Sequence, residues 1–265
     1  MLFSQDFLNN QSIVPYAKDY QHGDFEPSHS HNCAQLIHSL SGVVQVNTRQ
    51  GSWVVPPGRG VWLPARTEHS LRFTGKVAAR TLFVDPLARA DLPARCQVVQ
   101  ISPLLRELIL CAFDIPANYQ SGGREERVME LILDELRVLP TLPLQLPEPR
   151  NDRLLMLCQQ IQQSLSQPWE IEQAAKFLNV SSRTLSRHFQ RETGLRFGDW
   201  VRRARLLAAL NALAIGRSIL EVSLDLGYDS PSAFSAMFRR QLGVAPSAYF
   251  TQTPPVISPD SDLPR

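Results

Sequence analysis

The spacing of hydrophobic positions changes once along the chain. Between residues 13 and 85 they come in short β-rich runs: Val43-Val44-Gln45-Val46, Trp53-Val54-Val55, Val61-Trp62-Leu63, Leu71-Arg72-Phe73 and Arg80-Thr81-Leu82-Phe83-Val84. Gly and Pro separate the runs, and such even spacing predicts an all-β barrel or sandwich. After Pro86 the period becomes helical. Ser102-Pro103 offers a cap and a first helical residue, and Leu104, Leu105, Leu108, Ile109 and Ala112 follow at helical spacing. Gly122-Gly123 precedes a second helix, expected over 124–139 with Val128, Leu131, Ile132 and Leu136 marking its repeat. Pro140, Pro143, Pro147 and Pro149 then break any helix, which predicts an extended, semi-rigid linker over 140–150. From Asn151 to about Phe250 the pattern is helical throughout. Residues 251–265 contain four prolines and are expected to be a disordered tail. The reading is an α+β multidomain chain: a β-barrel over 1–100, a helical pair over 101–139, a linker over 140–150 and an all-α domain over 151–250.

Two segments of the last domain repeat at an offset of 49 residues: Ser181 to Gly194 and Ser230 to Gly243, with Ser, an apolar residue, Phe, Arg and Gly recurring in register. A short helix precedes each, expected over 171–178 and 219–226. Asn179 and Gly227 stand between the helices, where a left-handed residue is needed. Ser181 and Ser230 are placed to cap the second helix of each pair, and Ser218 with Glu221 fits a capping box. This is helix–tight turn–helix twice, a unit that lays its second helix in a DNA major groove. Leu185 with Phe189, and Phe234 with Phe238, take the core face. Arg183, Ser186 and Arg187, with Ser232 and Ser235 in the second unit, are the candidate base contacts. Arg183 and Arg187 project together at i, i+4 and suit guanine, whose edge accepts two hydrogen bonds from a guanidinium. Ser181, Gln190, Arg191, Ser230, Arg239 and Arg240 are candidate phosphate contacts. A single helix over 197–214 joins the units; its 18 residues span about 27 Å at 1.5 Å each, against about 34 Å between successive major-groove faces.

Charge supports this. The chain of 265 residues carries a formal net charge of only +2. Residues 1–145 hold 13 Lys+Arg against 14 Asp+Glu, whereas residues 176–240 hold 11 against 5, and Arg supplies 10 of the 11. Guanidinium-rich charge suits phosphate and base edges, and an overall +2 is low for sequence-blind packaging of DNA. No run approaches the roughly 20 apolar residues that cross a membrane. The start lacks a basic stretch followed by an apolar one, and the four cysteines show no Cys-x-x-Cys; both lead to the expectation of a cytoplasmic protein.

Residues 151–249 resemble the AraC/XylS family of bacterial transcription regulators. Gly227-Tyr228-Asp229-Ser230-Pro231-Ser232-Ala233-Phe234, continuing through Phe238, Gly243 and Pro246 to Tyr249, carries the resemblance most strongly. Ala236 departs from it, standing where a basic residue often reaches DNA, and Ser223 replaces a small apolar residue. The resemblance implies an effector-responsive regulator, active on double-stranded promoter DNA as a homodimer and acting on RNA polymerase, as an activator or a repressor, at an efflux or catabolic gene. The helices near 102–113 and 124–139 are candidate dimer elements.

The N-terminal spacing resembles two cupin motifs. Gly23, His29-x-His31, Gln35 and Gly42 match the first, with Gln for the usual Glu; Gly58, Pro64-x-Arg66-x-x-His69 and Phe73 match the second, with Arg66 for a Gly. Alternation along one strand would put His29, His31, Cys33 and Gln35 on a common face. If that face is the interior, His29, His31, Gln35 and His69 form an effector or metal pocket, with His29, His31 and His69 as candidate ligands for Fe, Mn, Ni or Zn. Pocket histidines also serve to hydrogen-bond an organic effector without metal. Cys33 reads as a packed thiol, His38 is assigned no role, and Trp53, Trp62 and Phe73 read as core. The competing function is a cupin-type metalloenzyme, a dioxygenase or isomerase using the three histidines. The helical repeat, which an enzyme has no reason to carry, favours the regulator, so the chain is not expected to be an enzyme.

Overall fold

A computed structural model describes residues 11–250. The N-terminal half is one mixed-length antiparallel sheet. Its strands are β1 (Ile13–Tyr20), β2 (Phe25–His29), β3 (Ala34–Thr48), β4 (Gly51–Val55), β5 (Arg59–Leu63), β6 (His69–Val84) and β7 (Gln97–Gln100), joined later in the chain by β8 (Thr141–Leu142) and β9 (Gln145–Pro147). Each β-rich run named above falls on a strand. The long strands β3 and β6 pair along most of their length, with register shifts between Ser39 and Val43. Beyond that irregularity each changes partners: β3 takes β5 on its first half and β4 on its second, and β6 takes β2 on its first half and β1 on its second. The two long strands therefore serve both halves of a folded-over sheet.

Two expectations are corrected here. Among the described residues the strand pairings do not run round into a ring, so the sheet is open rather than a closed barrel. The Pro-rich stretch is not a free spacer either. Val98 pairs with Leu142 and Ser52 with Leu146, which stitches it onto β7 and β4. Leu144 and Leu146 are buried, and a sheet edge takes proline readily because an outward position needs no N–H. The sheet thus draws strands from both sides of the helical pair, beyond the 1–100 span. The expected tail, 251–265, lies outside the described residues.

The helices follow their caps. The pair α1 (Pro103–Ala112) and α2 (Arg124–Arg137) begins with Ser102 accepting from the Leu105 amide. Leu105, Ile109, Met129, Ile132 and Leu136 pack on Leu36, Trp62, Leu82 and Val84 of the sheet's outer face. The C-terminal domain comprises α3 (Asp152–Gln163), α4 (Ile171–Phe177), α5 (Ser182–Thr193), α6 (Phe197–Ala214), α7 (Ile219–Asp225), α8 (Pro231–Leu242) and α9 (Pro246–Tyr249). The capping box of Ser218 and Glu221 is present, and Ser223 is satisfied by donating to the Leu220 carbonyl at 2.8 Å.

Helix α6 ties the two halves together. Trp200 Nε1 donates to the Pro147 carbonyl at 2.8 Å and Arg203 to the Gln145 carbonyl at 3.3 Å, both on β9. At its far end the Ala214 carbonyl meets the β6 backbone at Gly75, so closely that a Cβ there would stand 2.9 Å from it. One hydrophobic core is continuous from Val44 and Trp53 of the sheet to Trp200, Phe234 and Phe238 of the helices.

His38 is fully buried in the sheet and Nδ1 donates to the Arg59 carbonyl at 2.9 Å. Burial pushes its pKa down to about 4, against the favourable carbonyl contact and with the Arg106, Arg59 and Arg80 charges adding to the fall. A depressed histidine holds the fold undisturbed above its ordinary value of 6.5 and penalises it progressively as pH falls toward 4, by up to about 3 kcal/mol. Unfolding in urea at pH 6.5 and pH 4.5 is expected to show this decline, and His38→Gln to show a smaller one; an equal decline in the variant assigns the effect elsewhere.

Candidate functional site: a cavity in the sheet and a duplicated helical reading face

A cavity of about 320 Å³ lies inside the sheet. Ile37, Leu71, Phe73, Ala79 and Phe83 give it an apolar wall, and Lys18, Glu26, His29, His31 and Gln35 a polar end. The three histidines do converge, with one ligating atom from each of His29, His31 and His69 all within 4.8 Å of one another. His29, His31 and Gln35 do not share one strand, whereas His69 does come from a neighbouring one. His29 ends β2, His31 lies in the short connection between β2 and β3, Gln35 is on β3, and His69 opens β6 opposite His29. A 2.6 Å bond from the Arg66 amide to the His31 carbonyl ties that connection to the loop before β6. Arg66 adopts φ 62° there, which explains why a Gly suits that place in the motif it resembles.

Two of the imidazoles, His31 and His69, are held toward the neutral form. Burial, with His69 and His29 facing it, drives His31 down to about 4, and burial lowers His69. His29 Nδ1 donates to the Pro27 carbonyl at 2.7 Å and His69 Nδ1 to the Thr67 carbonyl at 2.8 Å. The Gln35 side-chain oxygen is buried with no hydrogen-bond partner among the described residues. Cys33 is buried, outside the cavity lining. Trp53 and Trp62 are core; Phe73 is both core and cavity wall, stacked on Tyr20 at 3.5 Å between ring centroids.

Sequence reading missed a second polar group in the cavity. Tyr20 and Lys18 both donate to Glu26 Oε1, at 2.6 and 2.9 Å. Burial works to raise the Glu26 carboxyl, yet those two bonds outweigh it and hold it below the ordinary carboxylate value. The signal was present: Tyr16, Lys18 and Tyr20 occupy one face of β1 by simple alternation, and all three line the cavity.

In the helical domain the tight turns fall where expected. Asn179 has φ 52° and Gly227 φ 73°. The Ser181 and Ser230 hydroxyls accept from the Thr184 and Ala233 amides at 3.1 Å each, capping α5 and α8. Leu185, Phe189, Phe234 and Phe238 are buried, each at most 1% exposed. That turns Arg183, Arg187, Gln190 and Arg191 outward on α5, and Ser232, Ala236, Arg239 and Arg240 outward on α8; Ser186 and Ser235 are half-buried at the margins. The basic residues divide by partner. Arg203 and Arg205 bond backbone carbonyls, Arg202 pairs with Asp199, Arg217 with Asp225, and Arg191 lies 3.7 Å from Glu192. Arg183, Arg187, Arg196, Arg239 and Arg240 are exposed and have no ion-pair partner among the described residues. Arg196, just before α6, was not singled out by sequence.

Comparison with known proteins places both halves. Residues 10–136 match an AraC-like ligand binding domain and residues 174–252 a helix-turn-helix domain. The HTH-type transcriptional regulator NimR of Escherichia coli (strain K12) is 33% identical over 238 residues, covering 90% of this chain and 86% of NimR. The chain belongs to the AraC family of transcriptional regulators. Regulatory protein SoxS of Escherichia coli (strain K12) is 39% identical over 90 residues, 34% of this chain and 84% of SoxS. Among solved structures, ToxT from Vibrio cholerae is 13% identical with a TM-score of 0.38, covering 91% of this chain and 98% of ToxT. The DNA-binding domain of AdpA in complex with a target DNA is 32% identical with a TM-score of 0.36, covering 38% of this chain and 92% of that domain. This AraC-family chain thus joins a ligand-binding domain to a helix-turn-helix domain, which supports the regulator over the metalloenzyme. Among the described residues no helix is long and apolar enough to cross a membrane.

Proposed function

We propose that the chain is an effector-responsive regulator that reads a specific double-stranded DNA site through α5 and α8. The observation that carries this is the division of the arginines: those on the outward faces of α5 and α8, Arg183, Arg187, Arg239 and Arg240, are exposed without ion-pair partners among the described residues, while Arg202, Arg203, Arg205 and Arg217, which lie off those two faces, are tied to carbonyls or carboxylates. Arg183 and Arg187, with Ser186, read base edges on α5, and Ser232 and Ser235 make the lighter readout of α8, where Ala236 offers only a methyl group. Ser181, Gln190, Arg191, Ser230, Arg239 and Arg240 hold phosphates and set the register. A capped serine serves because its oxygen accepts the amide while its O–H remains to donate.

The cavity takes a small molecule, whose differential affinity for two arrangements of the domains biases DNA binding. The α6 contacts to β9 and β6 are the joint through which that bias passes. Leu104 and Leu131, exposed on α1 and α2, suit a homodimer interface, and RNA polymerase is the further partner by which the bound regulator changes transcription. A gel shift with DNA from upstream of the chain's own gene tests the reading. A shifted band that resists excess unrelated competitor DNA is expected; equal competition by any sequence overturns it.

A further inference from the structure

We propose that His29, His31 and His69 form a binding site for one divalent transition-metal ion with an open coordination position facing the cavity. The proposal deepens the effector reading of this cavity, and it rests on that reading only for the role of the open position.

The argument begins with tautomers. A backbone carbonyl only accepts, so the bonds from His29 Nδ1 to Pro27 and from His69 Nδ1 to Thr67 put the proton on Nδ1 in both rings. Their Nε2 atoms are then lone-pair donors. Metal-binding histidines are oriented in this way, one ring nitrogen donated to a carbonyl and the other to the ion. His69 Nε2 is buried with no hydrogen-bond partner among the described residues. A buried acceptor left without a donor is costly, and a cation supplies what it lacks.

The three rings come from separate segments, yet their ligating atoms lie within 4.8 Å of one another. Tetrahedral coordination at about 2.0–2.1 Å per bond needs roughly 3.3 Å between nitrogens. His29, half-buried at the end of β2, has the freedom to close that gap. The Arg66–His31 backbone bond fixes the other two segments against each other. Three imidazole nitrogen donors with no thiolate among them suit Zn²⁺, Co²⁺ or Ni²⁺ and are a poor set for Mg²⁺ or Ca²⁺. Three protein ligands are one short of a closed structural site. His29, His31 and Gln35 all line the cavity, so the free position opens there, where an effector bearing a carboxylate, phenolate or heterocyclic nitrogen would complete the shell.

The test uses the full chain without an affinity tag, stripped with EDTA and titrated with Co²⁺. One equivalent is expected to develop the intense visible absorption of low-coordinate cobalt, which Zn²⁺ then abolishes. His69→Ala and His29→Ala should each weaken Co²⁺ binding on the order of 100-fold or more, with folding checked by circular dichroism. His22→Ala, on an exposed histidine outside the cluster, should leave it unchanged. Sodium azide added to the Co²⁺ form should change the spectrum by taking the open position. Absence of the absorption, or its persistence in both cluster variants, overturns the metal site; an azide-insensitive spectrum overturns the open position. Gel shifts on the same samples separate the two readings: specific DNA binding without Co²⁺ binding sinks the metal proposal alone, and the reverse sinks the regulator reading alone.

Discussion

Arg187→Ala should weaken binding to the specific DNA site by about 1–3 kcal/mol, roughly 5- to 150-fold, while leaving binding to unrelated DNA nearly unchanged. Arg183→Ala should do the same at a neighbouring base pair. Both side chains are exposed, both lack an ion-pair partner among the described residues, and they stand one turn apart on a helix whose opposite face is anchored by Leu185 and Phe189. Neither substitution touches the core, so the effect should appear in DNA affinity and not in stability. A panel of single base-pair variants of the site identifies the pair each arginine reads, because the variant protein loses discrimination there alone. Uniform weakening across all sequences, with a shallower dependence on salt, would instead make these arginines phosphate contacts.

A large stability effect is expected at Gly227. Its φ of 73° makes the second helix–turn–helix turn, and a Cβ there would sit 2.3 Å from the Ser166 carbonyl oxygen. Gly227→Ala therefore adds a backbone clash to the left-handed penalty and should cost about 3 kcal/mol or more. Gly243, at φ 81°, supplies the contrast: nothing lies within 4 Å of a Cβ there, so Gly243→Ala should cost only the conformational term, about 1–2 kcal/mol. Urea unfolding of the two variants side by side checks the difference. Equal losses would mean that the Ser166 loop yields freely and the close approach is not structural.

Local rules made most of the helical domain legible. Ser102, Ser181, Ser218 and Ser230 cap the helices that their sequence positions announced, because a cap is a bond to an amide three residues away and needs no tertiary knowledge. The turn residues Asn179 and Gly227 were legible for the same reason. The N-terminal half yielded less. Its strand runs were visible, but β8 and β9 reach the sheet only after two intervening helices, a pairing that local pattern does not contain. Four prolines pointed to a spacer, and the structure puts two of the leucines between them, Leu144 and Leu146, into the core. The histidine cluster was legible from motif spacing for a partly wrong geometric reason: alternation needs one continuous strand from 29 to 35, and the strand ends at His29 with the chain bending at Asn32 and Cys33. Glu26 with Lys18 and Tyr20 escaped notice because a carboxylate, an amine and a phenol spread over nine residues form no motif, and only the approach of β1 and β2 to the same cavity unites them.

The most direct measurement is a hydroxyl-radical footprint of the full chain on its specific DNA, set beside the Arg187→Ala variant. Two reading helices joined by the 18 residues of α6 predict, for each protomer, two protected patches on one side of the duplex about one helical turn, 10–10.5 base pairs, apart. In the variant the patch assigned to α5 should fade first as protein is diluted. A single patch, or two patches on opposite sides of the duplex, would contradict the account.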